Sequence, residues 1–200
     1  MSDFRQAIRD YIAREARPVE KFGHQPRLYA LALQVGAGHA YDDDVVFAAA
    51  WLHDIGVFIG HRPEDPDALA RWDNAAYAVE RAPALLKEMQ FPSEKVNAVI
   101  EAIRTHQPAA HPVAIEGVIL RDADILEQLG AIGILRTVCR IGRDTRFPTF
   151  TTAAESLRKA LLTLPAQIRL DTTRALAQPK IDLLQSFLDG LANESHPELW

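Results

Sequence analysis

Apolar residues return along this chain with the period of an α-helix. Phe4, Ile8, Tyr11 and Ile12 fall on one helical face, and Pro18 limits that segment. Leu28, Leu31, Ala32 and Val35 mark a second helix, opened by Pro26 and closed by Gly36. Asp42 to Asp44 supply a cap and negative charge at the start of a third. That helix carries Val46 to Leu52 and ends near Gly56. The stretch GHRPEDPDALA is rich in proline and charge and reads as a long loop. A helical pattern resumes from about 68 to 89. Pro92 and Ser93 open the next helix, with Val96, Val99, Ile100 and Ile103 on one side, and Pro108 and Pro112 break it. Two helices at about 115–129 and 132–141 flank Gly130. GRDTRFPTF reads as a second loop, and two helices at about 153–164 and 171–191 follow. No stretch alternates as a strand would. The expectation is an all-α single domain over residues 1–200.

Composition narrows the class. Nearly half of the 200 residues are hydrophobic and about a quarter charged, as in a soluble globular protein. The net charge of −5 and the lack of basic runs argue against a nucleic-acid partner, because phosphate backbones need clustered Lys and Arg. A single cysteine, Cys139, excludes an internal disulfide framework and fits a reducing compartment. The N-terminus is charged and amphipathic, unlike a signal peptide, and no apolar run approaches ~20 residues. A cytoplasmic protein with no membrane partner is expected, and a homodimer is left open.

Polar residues inside apolar segments carry the chemistry. Val45 to Gly60 read VVFAAAWLHDIGVFIG, with His53 and Asp54 in the middle. A buried polar group without a partner costs roughly 2–7 kcal/mol, so something must compensate these two. Of the seven histidines, His196 lies in a polar tail and His39 in a glycine-rich bend. His24 precedes the second helix, His61 opens the first loop, and His106 and His111 bracket the break after IEAIRTH. Asp124 shares a helical face with Leu120 and Ala123. Taken alone, Asp124 could pair with Arg27 or Arg104, and His53–Asp54 could be a helix-terminal His with a capping Asp. Together, imidazole nitrogens and carboxylates form a ligand set for a divalent ion such as Mn, Fe, Co, Ni, Zn or Mg.

With these pieces in this order, the chain resembles the HD-domain metal-dependent phosphohydrolases. HQPRLYALA is similar to the family's first motif, AAAWLHDIG to the HD motif, and IEAIRTHQ to the helix with a later His. LRDADILEQLGAIGILR is similar to the Asp-bearing helix of a bacterial subgroup of small predicted hydrolases. The likeness covers about 20–145, with the C-terminal helices at about 151–191 resembling that subgroup more loosely. It implies an all-α fold and His24, His53, Asp54 and Asp124 as metal ligands. Val57 and Phe58 stand where some branches carry catalytic acids, which points away from nucleoside-monophosphatases and alarmone hydrolases. Pro26 is unusual within the first motif, and Glu127 stands where the subgroup usually has Asp.

The chemistry this implies is hydrolysis of a small phosphorylated compound, a nucleotide first, by metal-activated water. His53, Asp54 and Asp124 would act at the catalytic centre. His106 is the best placed of the remaining histidines for proton transfer or a second ion, with His61 and His111 behind it. Arg27, Arg104 and Arg136, with His61, are candidates to bind the substrate's phosphate. Two other classes stay open. One is a hydratase or di-iron oxygenase on the same scaffold, and the other is a non-catalytic metal-binding module.

Overall fold

Asp3 accepts a hydrogen bond from the Arg5 amide and starts the first helix, α1, Phe4–Glu15. The same device recurs at Asp42, Asp65, Asp73 and Thr149. Asp42 caps α3, Asp43–Leu52, through the amides of Asp44 and Val45. Between them lies α2, His24–Val35, entered from a 3-10 turn, Val19–Gly23. The computed structural model describes residues 3–142 and 147–195. His196 lies outside the described residues, as do residues 143–146 of the GRDTRFPTF loop.

Among the described residues there are ten α-helices and no strand, as the periodicity predicts. Beyond α3 come α4, Pro66–Ala70; α5, Asn74–Glu88; and α6, Val96–Arg104. Then follow α7, Ile115–Gln128; α8, Gly130–Val138; α9, Phe150–Thr163; and α10, Asp171–Glu194. Of the boundaries that differ from the sequence reading, two bear on His24 and Asn74. The second helix begins at His24, with Pro26 inside its first turn, where no intrahelical N–H bond is lost. The expected helix from about 68 to 89 is two helices. Asp65 caps α4 through the Ala68 amide, and Asp73 caps α5 through the Ala76 amide. Two successive caps therefore interrupt a continuous apolar pattern, and part of the long loop is helical.

The chain divides into two compact units, 1–121 and 122–200, and the division falls inside α7. In the first, α3 is the core: every residue from Val45 to Leu52 is buried. A helix that is apolar all round belongs at the centre of its unit, and α1, α2 and α6 pack around this one. Helix α5 packs on α6 and on the short turn Ile55–Val57 that follows His53 and Asp54. Arg5 fastens α1 to the start of α3, with Nη2 at 2.7 Å from Asp43 and 2.6 Å from Asp44. Lys95, just before α6, reaches Asp42 and Asp44 at 2.8 Å.

In the second unit α8, α9 and α10 pack on one another. The buried Asp122 accepts from the amides of Arg169 and Leu170 at 3.1 and 2.9 Å. Gly130 turns the chain from α7 into α8 at φ +73°, a left-handed conformation suited to glycine. No described helix is long and apolar enough to cross a membrane.

Candidate metal centre

Helix α3 runs out of intrahelical partners at its C-terminal end, leaving its last carbonyls free to accept. His53 stands there, and its Nδ1 donates to the Ala50 carbonyl at 3.0 Å. That bond fixes the tautomer, so Nε2 carries the lone pair. His106 repeats the arrangement past the end of α6, with Nδ1 donating to the Ile103 carbonyl at 2.6 Å. Both imidazoles are buried. His24, the first residue of α2, is buried as well and brings its Nε2 to 3.1 Å from Nε2 of His53.

Asp54 follows His53 at the head of the Ile55–Val57 turn. Its Oδ2 lies 3.6 Å from His24 Nε2 and 3.8 Å from His53 Nε2. Its Oδ1 accepts from Nδ2 of Asn74 at 2.8 Å. Ligand atoms of His53, Asp54 and His106 all lie within 4.8 Å of one another. The three histidines interleave edge to face, with ring centroids 5.1 Å apart for His24–His53 and 4.9 Å for His53–His106. Burial, aided by the neighbouring His106 and His24 and opposed by Asp54, pushes the His53 imidazole down to about 3. It is therefore neutral at physiological pH, the form that offers a lone pair to a metal.

This donor set can hold a divalent ion. Convergent imidazole nitrogens with a carboxylate oxygen suit Mn, Fe, Co, Ni or Zn, and ligating histidines usually have the other ring nitrogen tied to a carbonyl. His53 and His106 meet that second condition.

The other candidates are placed as follows. Asp124 is half-buried on the part of α7 that belongs to the second unit, and its Oδ2 accepts from Gln128 Nε2 at 3.0 Å. Arg27 lies against Gly23, where a Cβ would meet its Nη1 at 2.6 Å, so its guanidinium sits over the backbone just before His24. Arg104 is exposed and ion-paired with Glu101 on its own helix. Arg136 pairs with the buried Glu127 in the second unit. His61 is held between Glu15, 3.3 Å from Nε2, and the Tyr77 hydroxyl, 2.9 Å from Nδ1. His111 is exposed. Asn74 was not among the sequence candidates. Its only signal is that it follows the capping Asp73, which marks a helix start and nothing more.

The family model described as HD domain matches residues 22–129. No curated protein matches the sequence. Among solved structures the chain is similar to YpgQ of Bacillus subtilis in complex with ADP, at 25% identity and a TM-score of 0.71, covering 100% of this chain and 99% of that one. It is similar to a Lactobacillus plantarum protein at 20% identity and TM-score 0.72, covering 97% of each chain. It is also similar to an HD-superfamily hydrolase from Bacillus thuringiensis at 20% identity and TM-score 0.68, covering 96% of this chain and 95% of that one. The last two likenesses speak for the fold alone.

Proposed function

This chain belongs to the HD-domain family, and on that premise we propose that it is a metal-dependent phosphohydrolase acting on small phosphorylated compounds, nucleotides first. The observation that carries the reading is the cluster of His24, His53, Asp54 and His106, with two of the imidazoles fixed through Nδ1. The family's pattern adds Asp124 as a further ligand. The similarity to YpgQ, which was solved with ADP, supports the nucleotide.

The ion, when bound, supplies Lewis acidity: it polarises a phosphoryl oxygen and makes water more acidic. The chain's own residues do the rest. His53 stays neutral, and in both His53 and His106 the Nδ1–carbonyl bond leaves Nε2 as the nitrogen with a lone pair to offer. Asp54 contributes negative charge through Oδ2, so the cluster attracts a cation and not a bare anion. Arg27, whose guanidinium lies over Gly23 just before His24, is the candidate to position a phosphate without reacting. Arg104 and Arg136 already serve carboxylates and play a smaller part. His106 would be an ion ligand in this reading, grouped with His53 and Asp54.

The test is a panel. Protein stripped with chelator is reloaded with Mn, Co, Ni, Mg, Fe or Zn and offered nucleoside mono-, di- and triphosphates and simple phosphate esters. Metal-dependent release of phosphate or pyrophosphate supports the reading. No phosphorus-ester hydrolysis with any ion overturns it.

A further inference from the structure

Among the described residues of the first unit, Asp54 is the carboxylate grouped with His53 and His106, and a carboxylate on a two-torsion side chain does not aim itself. Its Oδ1 is taken by Nδ2 of Asn74 at 2.8 Å, and this leaves Oδ2 turned toward His24 and His53. We propose that Asn74 is a positioning residue for Asp54, holding one oxygen so that the other is presented to the ion.

Three observations make this contact a built one. Asn74 opens α5, yet the capping duty there belongs to Asp73, so the Asn74 amide is not engaged in ending the helix. The approach of α5 depends on Gly56, two residues after Asp54. A Cβ at Gly56 would lie 2.7 Å from the Asn74 carbonyl oxygen and 2.8 Å from its Cα, so any other residue would push the start of α5 away. A second bond clamps the same place, since Trp72 Nε1 donates to the Gly56 carbonyl at 2.8 Å. Glycine, tryptophan and asparagine thus bring one amide to one carboxylate oxygen. An amide is also the right group: it donates without adding charge, so it fixes the carboxylate and leaves its attraction for a cation intact. Partners of metal-ligating groups are commonly worth 10–100-fold in affinity.

The inference rests on Asp54 being an ion ligand and not on what the protein hydrolyses. The experiment compares the unsubstituted protein with Asn74→Ala and with Asn74→Leu, which keeps the volume and removes the donor. Each is stripped with chelator and titrated with Co(II) calorimetrically, with the visible Co(II) absorption and the metal-free melting temperature recorded alongside. The expected result is Co(II) binding weakened 10–100-fold in both variants, an altered Co(II) spectrum, and a metal-free melting temperature near that of the unsubstituted protein. Affinity within twofold in both variants overturns the proposal, as does absence of Co(II) binding by the unsubstituted protein. Loss of the metal-free melting transition in both variants also overturns it, because Asn74 would then be holding the fold. An unsubstituted protein that binds Co(II) but hydrolyses nothing counts against the phosphohydrolase and leaves the affinity comparison decisive for Asn74.

Discussion

Asp54 holds Asn74 with one oxygen and faces two imidazoles with the other. Asp54→Ala removes the charged ligand of the proposed centre, so turnover and metal retention are expected to vanish while the far-ultraviolet circular dichroism stays helical. Asp124→Ala is expected to do the same. Stability should move only modestly in either direction, because a clustered carboxylate costs desolvation when no ion is bound. Full activity in Asp54→Ala would refute the site. Arg27→Ala should raise KM or lower kcat for phosphorylated substrates and leave metal content unchanged, as measured by steady-state kinetics with elemental analysis. His53 and Asp54 were legible in the sequence because their neighbours are apolar on both sides. Asn74 was not: polar residues are ordinary at helix starts, and its partner lies 20 residues away across a turn that sequence alone does not close. His61 shows the converse. Its place after the HD turn drew attention, and the structure gives it Glu15 and Tyr77 as partners.

At the scale of elements, the packing of α5 on the Ile55–Val57 turn is the joint on which the centre depends. Gly56→Ala should strain that joint, costing about 1–3 kcal/mol in urea unfolding, as overpacking in a tight contact does, and should weaken metal binding in parallel. Unchanged stability and affinity would show that α5 can shift freely. A second joint governs acid behaviour. Lys95 and Arg5 hold the Asp44 carboxyl below the ordinary carboxylate range. Its folded pKa is lower than its unfolded value of about 3.9, so between the two the unfolded chain binds the extra proton. The Asp44 contribution is therefore present above about pH 4 and lost as pH falls through the lower folded value. Urea midpoints of the unsubstituted protein and Asp44→Asn should differ at neutral pH and converge in acid. The helices themselves were readable from periodicity, and α3 most of all. What escaped was the break between α4 and α5, because Asp65 and Asp73 are local caps whose strength an apolar pattern does not register.

For the whole molecule, the net charge of −5 means that the proposed anionic substrate would have to be attracted locally and not by the global field. Long polyanions should bind poorly, so RNA and DNA are expected to remain intact under conditions where small phosphates are hydrolysed. Robust nuclease activity would sink that expectation. Ion binding should also be visible as stability. A divalent ion at a hundred times its Kd adds ~2.7 kcal/mol if it binds only the folded chain. Thermal melts with and without chelator read this directly, and identical curves would argue against a resident ion.

His53 and His106 both stand where a helix ends, each hydrogen-bonded to a carbonyl of the helix it follows. Such an end carries about half a negative charge from the aligned peptide dipoles. Helices α3 and α6 lie against each other and both finish at the imidazoles. Backbone and Asp54 thus set up a negative field that exists before any ligand arrives. Its consequence is an order of events: a phosphate reaching the empty centre meets repulsion, and one arriving after the cation meets attraction. Calorimetric titration with a nonhydrolysable nucleotide should show little binding to chelator-treated protein and clear binding once the ion is restored. Equal affinity in the two states would mean that the substrate does not depend on the ion to enter.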